Sequence, residues 1–442
     1  MEYIEKNKDR LIEDLLGCIS IASLSEDKEK VEEALDYTLG VAKKMGMKAS
    51  KLLDGKVGIV EIGQGTETLG ILTHIDVVDE GNRKLWKCDP FKGQIKDGKI
   101  FGRGALDDKG PLYACLHAMK ATMEESRPFT KKVQMIIGTQ EEIEWSDMDE
   151  FVKNYPLPDY GFTPDGEYPI CNIEKGGVDA VLQFPINEVR CGEKKQGLFL
   201  CKIKGGTAVN VVPGECSAVL SDGTEINISG KAVHSSRPDK GENAIIFMAK
   251  KLSSMDLQSN NLLEKVKMIE RRFSDVYGRD VGIFSKSEYF NGEFIHRNVI
   301  SPTMIETTEN NLEVTVNIRF AYSSSEKEMV LALEKLCREE GGVLKYCSTL
   351  PAVYVSKDDP FLKKLASSYE KETNLKNEFS LAYGGSYAKT MKRIVSWGPV
   401  LPGMEDTCHE ENESISIDNL ITNYKIYYGA ILEIAKGEES YL

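Results

Sequence analysis

Two adjacent carboxylates, Asp107 and Asp108, stand in the glycine-rich stretch FGRGALDDKG, residues 101–110. Glycine adopts backbone angles that are closed to residues with a Cβ, so this loop can turn sharply and hold a carboxylate in a fixed direction. Such an acidic loop suits the binding of a cation. Taken alone, it is equally compatible with a surface turn that carries a solvated pair of aspartates.

Two further pairs of polar residues follow apolar segments. His74 and Asp76, in ILTHIDVVDEG, point to the same side if they lie at a strand end, and a carboxylate beside a ligand histidine can orient it or tune its basicity. Glu141 and Glu142, in GTQEEIEW, can diverge on a turn, so that one binds metal and the other acts as a general base. The alternatives are a hydrogen-bonded His-Asp pair and a solvated helix start.

Two loops hold weaker candidates. Asp165, in FTPDGEYP, and His409, in LPGMEDTCHEENE, are by themselves typical of a turn and of an exposed acidic loop. His117 lies in a helical pattern and His296 in a stretch without a motif, so we expect both to be structural.

The elements that must position these residues alternate between strands and helices. Apolar runs at 57–62, 68–73 and 133–138 predict strands, and the pattern at 111–123 predicts a helix. Such alternation indicates an α/β sheet with helices on its faces, and ligands bind such sheets outside the carboxyl ends of the strands. The His74-Asp76 and Glu141-Glu142 pairs follow two of these strands directly.

The pattern changes along the chain. From residue 178 to residue 353, shorter strand-like runs and separate helical segments predict an α+β domain. The alternation of strands and helices resumes from residue 354. We therefore predict one domain from residues 1–177 and 354–442, interrupted by an inserted domain of residues 178–353.

The composition limits the functional class. The chain has 442 residues, 70 acidic and 56 basic residues and a net charge of -14, which disfavours nucleic-acid and anionic-membrane surfaces. Ten cysteines without framework spacing, a charged start (MEYIEKNKDR) and no apolar run of spanning length predict a cytoplasmic protein that does not enter a membrane.

The motifs HIDVVDEG, FGRGALDDKG, GTQEE, TPDGEYP and PGMEDTCHEENE share their order and context with a known superfamily. The chain resembles the co-catalytic zinc aminoacylase/carboxypeptidase/dipeptidase superfamily, and within it the PepV-like dipeptidases. This resemblance implies an α/β catalytic domain with a mixed sheet and helices on both faces, interrupted by an inserted α+β lid domain. The large lid implies that one chain supplies the whole site, and hence a monomer.

The resemblance also implies a role for each motif residue. Asp107 would bridge two divalent metal ions, with His74 and Asp165 completing one site and Glu142 and His409 the other. Glu141 would be the general base, and Asp76 would orient His74. Ligands of this kind suit Zn, with Mn or Co as alternatives, and two such ions can lower the pKa of a water towards 7.

The resemblance extends to substrate contacts. His234, in GKAVHSSRPDKGENAI, matches a lid histidine that closes over the substrate carbonyl. Asn210 and Arg319 match lid positions that contact substrate, and Gly384 and Gly385 match a loop that holds the substrate carboxylate. One departure concerns recognition, because Lys389 stands where the PepV-like pattern usually has arginine, and the two side chains differ in hydrogen-bonding geometry.

The predicted function is metal-dependent hydrolysis of dipeptides. A deacylase of N-acyl amino acids is the alternative on the same scaffold, since both bonds need the same centre. An inactive metal-binding interaction protein is disfavoured by the intact Glu141. The TPDGEYP context of Asp165 favours peptides by resemblance.

Overall fold

The chain divides into two units. The computed structural model describes residues 2–187 and 197–436; residues 1, 188–196 and 437–442, which fall within the predicted domains, lie outside the described residues. Unit 1 comprises Met1–Asn172, Val353–Ser380 and Ser386–Leu442, and unit 2 comprises Ile173–Ala352 and Leu381–Gly385. Unit 1 is therefore assembled from both ends of the chain.

The α-helices of the described residues are named in chain order. They are α1 (Glu2–Ile19), α2 (Lys28–Lys44), α3 (Lys109–Glu124), α4 (Ser146–Asn154), α5 (Ala244–Ser253), α6 (Asn261–Phe273), α7 (Glu326–Glu339), α8 (Pro360–Thr373) and α9 (Ile417–Ala435).

The strands are named in the same way. They are β1 (Lys48–Leu52), β2 (Val57–Gly63), β3 (Thr68–His74), β4 (Gln94–Lys96), β5 (Lys99–Phe101), β6 (Lys132–Gly138), β7 (Tyr160–Thr163), β8 (Cys171–Glu174), β9 (Gly176–Pro185), β10 (Leu200–Gly205), β11 (Val211–Val212), β12 (Glu215–Leu220), β13 (Glu225–Ser229), β14 (Val233–His234), β15 (Tyr289–Phe290), β16 (Glu293–Phe294), β17 (Val299–Thr307), β18 (Asn311–Phe320), β19 (Val343–Leu350), β20 (Val353–Tyr354), β21 (Ser380–Ala382), β22 (Ile394–Ser396) and β23 (Ser414–Ser416).

Unit 1 is built on a mixed sheet, as the sequence predicted. Its strand order is β1-β2-β6-β3-β7-β22-β8-β20. The pairs β3/β6, β3/β7 and β7/β22 are parallel, whereas β1/β2 and β2/β6 are antiparallel. Because β3, β6 and β7 run in the same direction, the loops that follow them leave the sheet at one edge.

Helix α3 lies in the interior of unit 1. Every residue from Lys109 to Met119 is buried, and α1 and α9 pack against it. A helix that is apolar around its whole circumference is expected to be enclosed by other elements. The acidic loop immediately before α3 is therefore attached to one of the most firmly packed elements of the unit.

Unit 2 has an antiparallel sheet with strand order β13-β12-β10-β17-β18-β9-β19. Alternate residues of β9 are buried, as expected for a sheet with one packed face. Its helices have local start signals: Asn243 and Asn260 cap α5 and α6, and Ser325 and Glu328 form a capping box on α7.

No helix in the described part of the chain combines the length and apolar character needed to cross a membrane. Directly before α9, Ser414–Ser416 pairs with β5.

An aromatic cluster in the core of unit 1 allows the contribution of core packing to the free energy of unfolding to be measured. Phe162 is fully buried and its ring lies 5.2 Å from that of Trp397 and 5.6 Å from that of Tyr427. We expect Phe162→Ala to lower the free energy of unfolding of this unit by about 3 to 5 kcal/mol, because it leaves a cavity. Urea unfolding followed by circular dichroism measures it. The exposed Leu375→Ala is the control, and an equal shift in both variants would contradict this account.

Candidate metal centre and active site

The loops at one edge of the unit 1 sheet carry the predicted site. His74 ends β3, Glu141 and Glu142 follow β6, and Asp165 follows β7. The parallel register sets His74 beside Gly138 at the ends of their strands. Asp107 reaches the same place from the loop before α3, and His409 from the loop before β23.

Asp107 presents one carboxylate oxygen to each of two imidazoles. Its Oδ1 lies 2.9 Å from Nε2 of His74, and its Oδ2 lies 3.0 Å from Nε2 of His409. His409 also contacts a carboxylate oxygen of Glu142 at 3.1 Å. Asp107 is therefore placed between two histidines that are 335 residues apart in sequence, from 74 to 409.

The other carboxylates complete two overlapping groups. The ligand atoms of His74, Asp107 and Glu142 lie within 4.8 Å of one another, and so do those of His74, Glu141 and Asp165. Asp165 is the more distant partner of His74, with an oxygen 3.9 Å from Nε2. All seven residues predicted for the metal ions, the base and the orientation of His74 thus lie in unit 1.

Asp76 supports this arrangement mainly through backbone groups. Its carboxylate accepts hydrogen bonds from the backbone N–H groups of Glu141 and Glu142 and from the hydroxyl of Ser25. Nδ1 of His74 lies 3.0 Å from the carbonyl oxygen of Asp76 and 3.5 Å from its carboxylate. The carbonyl is thus the nearer acceptor that orients the imidazole.

These contacts define the protonation of His74. A carbonyl oxygen can only accept, so Nδ1 donates to Asp76, and Nε2 of the neutral ring is left as an acceptor. That acceptor faces the Asp107 carboxylate at 2.9 Å. Two acceptors at this distance require a cation between them, either a proton or a metal ion. Although burial lowers the pKa of His74, its hydrogen bonds with Asp107 and Asp76 raise it well above the usual value.

The carboxylates repel one another. Burial and the charge of Asp107 raise the pKa of Asp165 to about 8 and also raise that of Glu142. Burial and the charge of Asp165 raise the pKa of Glu141 well above its usual value. Hydrogen bonds with Asp107 and Glu142 raise the pKa of His409 to about 10. Divalent cations would relieve this repulsion, since an opposite charge favours the ionised form.

The donor set fits such cations. Imidazole nitrogens and carboxylate oxygens are ligands that Zn, Mn and Co accept in proteins. Asp107 could bind one ion through each of its oxygens, since Oδ1 already faces His74 and Oδ2 already faces His409. The residues present are therefore suited to a two-ion centre.

Sequence reasoning missed residues that hold the turn bearing Glu141 and Glu142. The carboxylate of Asp147 accepts the backbone N–H groups of Thr139 and Gln140 and the hydroxyl of Tyr387, at 2.7, 3.2 and 2.7 Å. The ring of Tyr387 lies edge-on to that of His74, with centroids 6.4 Å apart. The signal in the sequence was the position of Asp147 in the first turn of α4. Such a position predicts a favourable charge at the helix N-terminus, but not the hydrogen bonds to Thr139, Gln140 and Tyr387.

Unit 2 holds the predicted lid residues. Nδ1 of His234 accepts a hydrogen bond from the backbone N–H of Ser236 at 3.2 Å, and it lies 2.6 Å from that residue's hydroxyl. In the neutral ring the proton is therefore on Nε2. Burial and the charge of Arg319 lower the pKa of His234, which favours this neutral form.

Arg319 lies on β18 opposite Gly177 of β9. A Cβ at position 177 would lie 3.1 Å from Nη1 of Arg319, so glycine leaves room for the guanidinium. Among the described residues, the buried Nε of Arg319 has no hydrogen-bond partner. The Nε–H of Arg319 is thus a donor that no described residue uses.

The other predicted substrate-binding residues are exposed. Asn210 is exposed and its carbonyl accepts the backbone N–H of Ser235. Gly384 and Gly385 are exposed and belong to the short segment of unit 2 that follows β21.

Three residues that the sequence analysis discussed without a metal or catalytic role are buried: Lys389, His117 and His296. Lys389 lies in a short turn of unit 1. His117 contacts Asp14 and Tyr3. His296 contacts Lys175.

The family of the chain follows from comparison with known proteins. The sequence profile of Peptidase family M20/M25/M40 matches residues 70–433. The chain belongs to this family. The superfamily resemblance of its motifs is thereby confirmed, and the chain is an enzyme of the peptidase class.

Known proteins resemble the chain over nearly its whole length. A Bacillus subtilis (strain 168) protein described as "Putative dipeptidase YtjP" is 31% identical over 474 residues, covering 99% of each chain. The solved structure of aminoacylhistidine dipeptidase from Vibrio alginolyticus has a TM-score of 0.67 at 15% identity and covers 97% of each chain. The Bacillus subtilis YXEP protein, described as a dinuclear metal-binding peptidase of the M20 family, has a TM-score of 0.55 at 12% identity, covering 97% of this chain and 99% of its own. These two structures confirm the predicted fold class.

The position of Asp107 between both histidines makes it the most informative residue for metal binding. We expect Asp107→Ala to lose bound divalent metal, because it removes the carboxylate that faces both histidines and would offset the repulsion between two cations. Metal content after dialysis, measured by mass spectrometry, checks this expectation. Asp9→Ala, on the exposed face of α1, is the control. Retention of two tightly bound ions by Asp107→Ala would refute the shared-ligand assignment.

Proposed function

We propose that this M20/M25/M40 peptidase is a dipeptidase that uses two divalent metal ions. The observation that carries the proposal is Asp107, whose two oxygens face two different histidines at 2.9 and 3.0 Å. The relative described as a dipeptidase, which aligns over 99% of the chain, supports the substrate class.

We propose His74 and Asp165 as the further ligands of one ion, and Glu142 and His409 as those of the other. Asp107 serves both. The ions, which we propose to be Zn, with Mn or Co as alternatives, would polarise the scissile carbonyl and acidify a water molecule. We propose that Asp76 keeps the His74 ring oriented through its carbonyl and holds the backbone of Glu141 and Glu142 through its carboxylate.

Glu141 is the proposed general base. Its carboxylate shares a small volume with His74 and Asp165, while its backbone is held from both sides, by Asp76 through the N–H and by the Trp145 indole through the carbonyl. A side chain on so fixed a backbone can accept a proton from water at Oε and return it to the leaving nitrogen. The atoms of the reaction balance, since water adds across the peptide bond and yields a carboxylic acid and an amine.

Unit 2 supplies the proposed substrate contacts. The Nε2–H of His234 is a neutral donor suited to the oxygen of the scissile carbonyl as it becomes negative. The guanidinium of Arg319 is suited to bind the free carboxylate of a dipeptide, with Asn210 and the backbone of Gly384 and Gly385 as further donors. We further propose that the enzyme is cytoplasmic and acts as a monomer.

The base assignment predicts a separation between metal binding and turnover. Glu141→Gln keeps the side-chain shape but cannot accept the proton, so we expect metal content to stay near that of the wild type while kcat falls about 10² to 10⁴-fold. Metal analysis and steady-state kinetics measure both. Glu144→Gln, at an exposed neighbouring position, is the matched control. Full activity of Glu141→Gln, or loss of its metal, would reject the role.

The carboxylate assignment predicts a limit on substrate length. We expect kcat/KM for Ala-Ala to exceed by far that for Ala-Ala-amide, which lacks the charge, and that for Ala-Ala-Ala, whose carboxylate lies one residue further out. Arg319→Lys should weaken this preference, because an ammonium cannot form two parallel hydrogen bonds to a carboxylate. Arg338→Lys, exposed on α7, is the control.

The same assay separates the alternatives. Comparable kcat/KM values for the three peptides would contradict both the proposed recognition of the free carboxylate and the dipeptidase assignment. Preferential hydrolysis of N-acetyl amino acids would instead establish the deacylase. Metal-depleted protein, supplied again with Zn, Mn or Co, serves as the reference in each series.

A further inference from the structure

Glu413 is a buried carboxylate at the end of the motif PGMEDTCHEENE, and neither the sequence analysis nor the proposed chemistry gives it a role. It is fully buried, and four donors surround its two oxygens. Oε1 accepts the backbone N–H groups of Leu106 and Asp107 at 2.8 and 3.1 Å. Oε2 accepts Nη1 of Arg103 at 2.8 Å and the backbone N–H of Gly104 at 2.9 Å.

These donors share one segment. All four belong to residues 103–107, the loop that ends in the carboxylate facing both histidines. The backbone N–H of Asp107 itself is one of them. This hydrogen bond ties the backbone of Asp107 to Glu413, and the side chain of Asp107 has only two torsions beyond its Cα.

The same residue is tied to the second histidine loop. Glu413 follows His409 by four positions, and its carbonyl accepts the backbone N–H of Gly102 at 3.1 Å. Directly after it, Ser414 pairs with Phe101 in the β5/β23 ladder. Through backbone and side chain together, Glu413 joins the loop of His409 to the loop of Asp107.

Arg103 balances the charge of Glu413. Its guanidinium is buried, donates through Nη2 to the carbonyl of Asp79 at 3.0 Å and lies 5.5 Å from the ring centre of Trp86. A buried ion pair is favourable only with good geometry and further hydrogen bonds; the Asp79 carbonyl supplies one for Arg103, whose Nε has no partner among the described residues. Here three backbone N–H groups supply those bonds for the carboxylate.

We propose that Glu413 is a positioning residue of the metal centre, whose carboxylate holds residues 104–107 so that Asp107 can face both histidines at once. The proposal rests on the metal-ligand role of Asp107 given above. Glu413 itself would contact neither metal nor substrate, because its oxygens are occupied by the four donors.

The chemistry requires a carboxylate rather than an amide. An ionised glutamate offers acceptors on both oxygens, whereas glutamine offers one oxygen acceptor and one NH₂ donor group. In Glu413→Gln, the NH₂ group would face at least one N–H donor, so two donors would meet. Part of the loop would lose its partner although the shape of the side chain is kept.

The test is metal affinity in the variant Glu413→Gln. Partners that orient metal ligands typically change affinity by about 10- to 100-fold when altered, and we expect a loss of that size for Zn in competition with a chromogenic chelator. In metal-free protein, amide hydrogen exchange in a peptide covering residues 101–110 should become faster. Glu410→Gln, exposed and next to His409, should behave as wild type in both measurements.

A second variant separates positioning from stability. Glu413→Gln leaves Arg103 as an unpaired buried charge, which can unfold the chain by itself. Arg103→Met combined with Glu413→Gln removes that charge, so we expect its thermal stability to recover while its Zn affinity stays low and its loop exchange fast. Recovery of Zn affinity together with stability would overturn the proposal.

The remaining outcomes are equally decisive. Wild-type Zn affinity in folded Glu413→Gln would overturn the positioning role while leaving the proposed function intact. Failure of the wild-type chain to bind divalent metal would overturn the proposed function, and this proposal with it.

Discussion

Repulsion among buried carboxylates is the constraint on which the rest of unit 1 depends. Asp107, Glu141, Glu142 and Asp165 converge on two imidazoles at one edge of the sheet. Burial and the neighbouring charge of Asp107 raise the pKa of Asp165 to about 8, which expresses how unfavourable its ionised form is. Such a carboxyl group is either protonated or stabilised in its ionised form by neighbouring cations. The donor set fits divalent ions, and the surrounding structure fixes the backbone.

The carboxylates of the site fall into two kinds according to what their oxygens contact. Asp76, Asp147 and Glu413 accept backbone N–H groups and thereby hold the turns at residues 139–142 and 104–107. Asp107 and Glu142 direct their oxygens towards histidines instead. The first kind is satisfied within the protein, whereas the second kind remains available for ions. A metal centre assembled on loops can be rigid for this reason, although loops are usually the more mobile part of a fold.

The candidate residues of unit 2 carry hydrogen-bond donors, whereas those of unit 1 are mainly acceptors. The imidazole of His234 accepts from Ser236 through Nδ1 and so presents its proton on Nε2. Arg319 has room for its guanidinium beside Gly177, and its Nε has no partner within the described chain. Arg319 belongs to the large antiparallel sheet, in which alternate side chains of each strand point away from the core, whereas His234 belongs to the separate two-stranded sheet of β11 and β14. The chemistry proposed for hydrolysis needs both sets of groups.

The sequence by itself determined the class of fold, the family and the residues with chemical capacity, because strand and helix periodicities and the five motifs are local signals. It predicted His74, Asp107, Glu142, Asp165 and His409 as ligands, and the structure brings these residues together, although the roles themselves stay predictions. Only the tertiary structure decided which groups hold them. The hydrogen bond between Glu413 and the N–H of Asp107 joins residues 306 positions apart in the sequence, and the hydrogen bond between Tyr387 and Asp147 joins residues 240 positions apart. It also showed that the carbonyl of Asp76 lies nearer to the His74 ring than its carboxylate does. The partners of Asp107 and Asp147 depend on how distant segments pack, and the contact of His74 with Asp76 depends on the local backbone path; neither periodicity nor motif spacing contains that information.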